Sequence, residues 1–104
     1  NQAGRFVAPT LAGAEAALQG AAVAEDLTYD PLDAAGEAAY PITSPTYLLV
    51  RTTYADQATL DGVRGFVTYL LSEGQDVAED VSFAKLPTAL RDKALAQLDR
   101  LAVG

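Results

Sequence analysis

Apolar side chains recur at three- and four-residue intervals between Asp56 and Glu73: Leu60, Val63, Phe66, Val67, Leu70 and Leu71. That spacing places them on one stripe of an α-helix, which is predicted to span the interval. Asp56 is suited to cap its start and Gly74 to close it. A second stripe, Leu90, Ala94, Leu98 and Leu101, follows Pro87-Thr88 and predicts a final helix. Between the two, Gln75–Asp80 reads as a further helical turn carrying Val77 and Ala78. Ser82–Pro87 reads as a loop with Phe83 and Leu86 as apolar anchors. Thr46–Thr52 is different: it is apolar almost without alternation and rich in β-formers, the pattern of a strand covered on both faces in a parallel or mixed sheet. One such strand cannot make a sheet, and no neighbour for it is visible in the chain.

The first forty residues are thinner. Gly4 followed by Phe6-Val7 suggests a turn and a short extended piece. Pro9-Thr10 signals a helix start, with Thr10 as cap, Leu11–Gln19 as the helix and Gly20 as its stop. Gly13 inside that helix costs about 1 kcal/mol relative to alanine. Ala21–Ala39 reads as loop with one short helical turn. Its acidic residues Glu25, Asp26, Asp30 and Asp33 lack the alternating spacing around a glycine that a calcium loop uses, so they read as a solvated acidic surface. Alanine inflates the hydrophobic half of the composition while burying little area per residue. Residues 1–39 are therefore expected to need a partner surface to stay folded.

Fourteen acidic against seven basic residues give a net charge of −7, which excludes an electrostatic nucleic-acid binder and disfavours an anionic membrane surface. With no cysteine and no histidine, thiol catalysis, disulfides and zinc–thiolate sites are excluded, and the commonest general base and transition-metal ligand are missing. Ser44, Ser72 and Ser82 have no histidine to activate them. Gly62 and Gly65 lie inside a predicted helix, outside the strand–turn context of a phosphate loop. The expectation is a non-enzymatic chain with no catalytic residue, no metal site and no cofactor. One hydroxyl cluster invites function. Thr43-Ser44 stands between Pro41 and Pro45 at the mouth of the predicted strand, where it serves either as a rigid connection or as a ligand contact.

Several runs, in order, carry a resemblance. Tyr40-Pro41-Ile42-Thr43-Ser44 followed by Thr46–Val50 resembles the return strand of the phosphate-binding protein (PstS) family of the phosphate ABC transporter. Val63–Gln75 is similar to the family's long C-terminal helix ending in Gly-Gln. Asp80–Pro87 is similar to its aromatic–x–x–Leu–Pro loop, and Ala3-Gly4 with Val7–Thr10 to the segment entering the last helix of its second lobe. The resemblance implies an α/β chain, helix-rich with one clear crossover strand, forming the C-terminal part of a two-lobed type II periplasmic-binding-protein fold (a Venus flytrap). On that mapping residues 1–39 end the second lobe. Tyr40, Pro41, Ile42, Thr43, Ser44 and Pro45 make the interlobe hinge, and residues 46–104 return to the first lobe.

The implied role is hinge and scaffold in an extracytoplasmic receptor, periplasmic or at the cell surface, that captures inorganic phosphate for an ABC permease. The implied partners are that permease and the N-terminal remainder of the same protein, with no nucleic acid. The family's phosphate ligands have no counterpart in this chain, so none is assigned here. The alternative is a separate or proteolysed interaction module that packs on a complementary chain or cell-surface assembly through its apolar faces.

Overall fold

The computed structural model describes all 104 residues. Helix α1 covers Leu11–Gly20 and starts at Thr10, whose hydroxyl accepts from the Gly13 N–H at 3.1 Å. Strand β1 is Thr53–Tyr54, and helix α2 runs Gln57–Leu71. Asp56 caps α2 by accepting from the Thr59 N–H at 2.8 Å. A short helix α3, Gln75–Ala78, continues as a 3₁₀ turn over Glu79–Val81. Helix α4 is Thr88–Gln97, followed by a 3₁₀ turn at Leu98–Arg100 and strand β2 at Ala102–Val103. The helices read from periodicity are present, but the short helical turn expected within Ala21–Ala39 is not: that stretch holds only turns and bends.

The predicted strand at Thr46–Thr52 is not present, which corrects the reading of one clear crossover strand there. The only sheet is a two-residue parallel pair, Thr53 opposite Ala102 and Tyr54 opposite Val103. It is extended by bonds from the Ala102 N–H to the Thr52 carbonyl, 2.9 Å, and from the Gly104 N–H to the Tyr54 carbonyl, 3.0 Å. The physical reason is that a strand exists only through its ladder. Thr46–Arg51 has strand composition, but no other segment offers its backbone a hydrogen bond.

The molecule has two small cores. Leu60 and Val67 of α2 meet Leu98 and Leu101, with Val50, Tyr54, Val63, Leu71 and Leu95 packed around them. The second core is Ala17, Ala34 and Ala39, where α1 meets the loop that returns to Tyr40. Gly13 and Gly20 let that loop approach the helix backbone. The Tyr40 N–H donates to the Gly13 carbonyl at 2.9 Å, and a Cβ on Gly20 would run into the Ala35 carbonyl oxygen. Pro31 is the largest fully buried side chain.

Neither core is large. Eleven of 104 residues are buried. The radius of gyration is 15.6 Å, with extents of 52 × 28 × 17 Å; a compact chain of this length has about 13 Å. The accessible surface of 6816 Å² exceeds by roughly 1,300 Å² what a compact monomer of this mass exposes. No helix is long and apolar enough to cross a membrane.

Candidate functional site: the proline-bounded junction and its clefts

Tyr40–Pro45 joins the two cores, and its two ends are held very differently. At the start, the Tyr40 N–H is bonded to α1, and the Pro41 carbonyl accepts from the Asp33 N–H at 2.8 Å. The Thr43 hydroxyl then turns back to donate to the Tyr40 carbonyl at 2.9 Å. Tyr40 through Thr43 is thus fastened to the body made by residues 1–39. Past that point the fastening stops. Ser44 is exposed, and the backbone of Thr46–Arg51 makes no hydrogen bond within the chain. Ile42 is 71% exposed, Leu48 56% and Leu49 94%, a density of solvent-facing apolar groups that a solvated loop does not carry.

Two clefts flank the junction. The larger, about 910 Å³, lies between α1 with the junction on one side and the end of α2, α3 and the Ser82–Leu86 loop on the other. It contains Tyr40, Ile42, Thr43, Ser44 and Pro45, and no charged residue lines it. Its hydroxyls are partly spent: the Thr10 oxygen already accepts from Gly13, and the Thr43 hydroxyl donates to Tyr40. An anion placed there would meet no counter-charge, only neutral hydroxyls, of which Ser44, Thr46 and Ser82 have no partner within the chain. Of the two roles open to Thr43, its hydrogen bond therefore favours the connection.

The smaller cleft, about 430 Å³, is walled by Thr46–Val50, by Val67, Leu70 and Leu71 of α2, and by Leu90 and Ala94 of α4. Asp26 and Arg100 are its only charged residues. It is the uncovered side of the larger core, open along the run that has no ladder partner.

Gln75 explains the Gly-Gln step that links α2 to α3. The Gly74 N–H donates to the Tyr69 carbonyl at 2.8 Å, and Gln75 Nε2 donates to the Leu70 carbonyl at 2.7 Å. The Gln75 Oε1 accepts from the Leu86 N–H at 2.8 Å. One side chain thus satisfies an orphan helix carbonyl and pins the Phe83–Pro87 loop. Lys85, held between Asp76 at 3.3 Å and Glu79 at 3.7 Å, has its pKa raised, first by the Asp76 hydrogen bond and then by the Glu79 charge.

Periodicity gave no warning of three residues that bridge the two bodies. The Tyr47 hydroxyl accepts from the Tyr29 N–H at 3.0 Å and donates to the Tyr29 carbonyl at 3.1 Å, with the two rings edge-to-face at 5.9 Å. Burial raises the Tyr29 pKa, with a smaller contribution from Tyr47. Gln97 Nε2 donates to the Glu25 carbonyl at 2.8 Å. The only signal in the sequence was an aromatic side chain in an otherwise acidic loop and another in the apolar run.

No family model matches the chain, and no solved structure is a significant match. A curated relative does match: over 92 residues, 86% of this chain, it is 32% identical to the phosphate-binding protein PstS of Xylella fastidiosa (strain 9a5c). The chain spans 25% of that protein's length. This is similarity to one stretch of a phosphate-binding protein about four times longer.

Proposed function

We propose that the chain is the hinge-and-scaffold part of an extracytoplasmic solute-binding protein that captures inorganic phosphate for uptake by an ABC transporter. The observation that carries this reading is the match along 86% of the chain to a phosphate-binding protein. The architecture supports it from a separate direction. Thr46–Arg51 has the composition of a buried strand and no partner in the chain, and the apolar cleft beside it is open. Both are what a sheet supplied by the rest of a longer protein would complete. In this reading Tyr40–Thr43 moves with residues 1–39, and the pivot is narrowed to Ser44-Pro45 and the run after it. Phosphate is held elsewhere in the receptor, and this chain has no catalytic role.

Isothermal titration tests the proposal. The full-length protein is expected to give saturable heat with inorganic phosphate, and residues 1–104 alone are expected to give none at millimolar phosphate. Saturable heat from the isolated chain would remove the assignment of hinge and scaffold without site. Absence of heat from the full-length protein would remove the phosphate reading altogether. The same exposed apolar run also suits a separate module docked on a complementary chain. The mass of the intact source protein separates the two, since a receptor requires a species several times longer.

A further inference from the structure

We infer that the Ala24–Tyr29 loop is a conformational latch that sets the angle between residues 1–45 and residues 46–104. Three hydrogen bonds join these two parts, and all three come from this loop: the two between Tyr29 and the Tyr47 hydroxyl, and the one from Gln97 to the Glu25 carbonyl. No ion pair crosses between the parts. The covalent link contributes no stiffness of its own, because the backbone from Thr46 to Arg51 is unbonded. Every hydrogen bond that fixes the relative position of the two parts within this chain acts through the loop.

The loop is built to move as a unit. The Ala24 N–H donates to the Thr28 carbonyl at 2.9 Å and the Leu27 N–H to the Ala24 carbonyl at 3.0 Å. Asp26 Oδ1 accepts from the Thr28 N–H at 3.0 Å and from its hydroxyl at 2.6 Å. Leu27 sits at φ 69°, a left-handed conformation that a leucine adopts only when its surroundings hold it, and it lines the apolar cleft between the 46–50 run and α4. A preformed loop that grips through three partly solvated hydrogen bonds and one apolar side chain can release and re-engage without unfolding either core. The latch is a property of this chain and stands or falls independently of the phosphate reading.

Its test is a distance. The chain has no cysteine of its own, so Ala24→Cys and Lys93→Cys, introduced into the full-length protein, place two spin labels across the latch at exposed positions. The expected result is one narrow distance in the parent. Tyr47→Phe and Gln97→Ala should each add a longer-distance population, lowering the closed-to-open ratio about 3- to 10-fold per lost interaction. Glu25→Gln should change nothing, because the contact uses the Glu25 carbonyl and not its carboxylate. Amide protection in α2 reports whether each variant remains folded, and the two conservative variants, Tyr47→Phe and Glu25→Gln, keep the comparison interpretable if Gln97→Ala does not. A distance that stays narrow in the folded variants, or one already broad in the parent, overturns the latch.

Discussion

Glycine shows most plainly how position decides the effect of a single residue. Gly62 and Gly65 lie in α2 with nothing near the place a Cβ would occupy, so alanine there adds helix propensity and meets no obstacle. Each of Gly62→Ala and Gly65→Ala is expected to stabilise by about 1 kcal/mol. Gly20→Ala, the same substitution in α1, drives a Cβ against the Ala35 carbonyl and is expected to destabilise by roughly 1–3 kcal/mol. Denaturant midpoints of the full-length protein measure all three; a stabilising Gly20→Ala would show that the loop does not sit on the helix. Asp56 gives the pH dependence. The Thr59 N–H, and after it the Thr59 hydroxyl, hold its carboxyl below the usual range. Its folded-state pKa is depressed, so its contribution is complete above the ordinary carboxylate value of about 4 and is lost as pH falls through the lower folded value. Asp56→Asn, which keeps an acceptor but does not titrate, should flatten the acid limb of the stability profile. An acid limb unchanged by that variant would show that Asp56 contributes nothing to it.

At the scale of elements, what was legible in the sequence was what depends on neighbours three and four residues away. The stripes of α2 and α4 and the Thr10 and Asp56 caps act within one or two helical turns, and they are found. The glycine stops are not, since α1 runs through Gly20 to an Ala21 cap and α2 ends at Leu71 with Ser72 as its cap. What was not legible depends on segments far apart in the chain. The β1–β2 pair joins residues 49 positions apart, Thr53 with Ala102, and two residues carry no periodicity. Gly13, which weakens α1 as local sequence, is where the Tyr40 backbone docks. The strand at Thr46–Thr52 failed for the same reason in reverse: its composition suits a sheet, but no ladder partner is at hand. This yields a prediction specific to the element. Leu49, 94% exposed, faces solvent in residues 1–104 alone, so aspartate there should leave the helical content of the isolated chain unchanged by circular dichroism. If a sheet covers this run in the longer protein, Leu49→Asp there buries an unpaired carboxylate and should destabilise by several kcal/mol. Small effects in both settings would mean the run is a loop in both.

At the scale of the whole molecule, the shape itself argues for a missing surface. The excess of roughly 1,300 Å² over a compact monomer is of the order that each partner contributes to a substantial protein–protein interface, about 800 Å² or more. Large apolar side chains are exposed with it: Ile42, Leu48 and Leu49 at the junction, Phe66 on α2, Val77, Val81 and Phe83 beyond it, and Phe6 and Leu32 in the first forty residues. Two cores of four and three buried residues supply little against the conformational entropy of 104 residues. Residues 1–104 alone are therefore expected to melt without a sharp transition and to self-associate as concentration rises, despite the net charge of −7. Mixing them with the separately produced remainder of the full-length protein should convert that behaviour into a single cooperative transition and a 1:1 complex by sedimentation. Under the proposed phosphate-receptor reading, the same mixture should also give saturable heat with inorganic phosphate. A sharp, concentration-independent melt of the chain by itself would show that its open faces need no partner. A failure to complement would point instead to an unrelated chain as the occupant of the cleft beside Thr46–Val50.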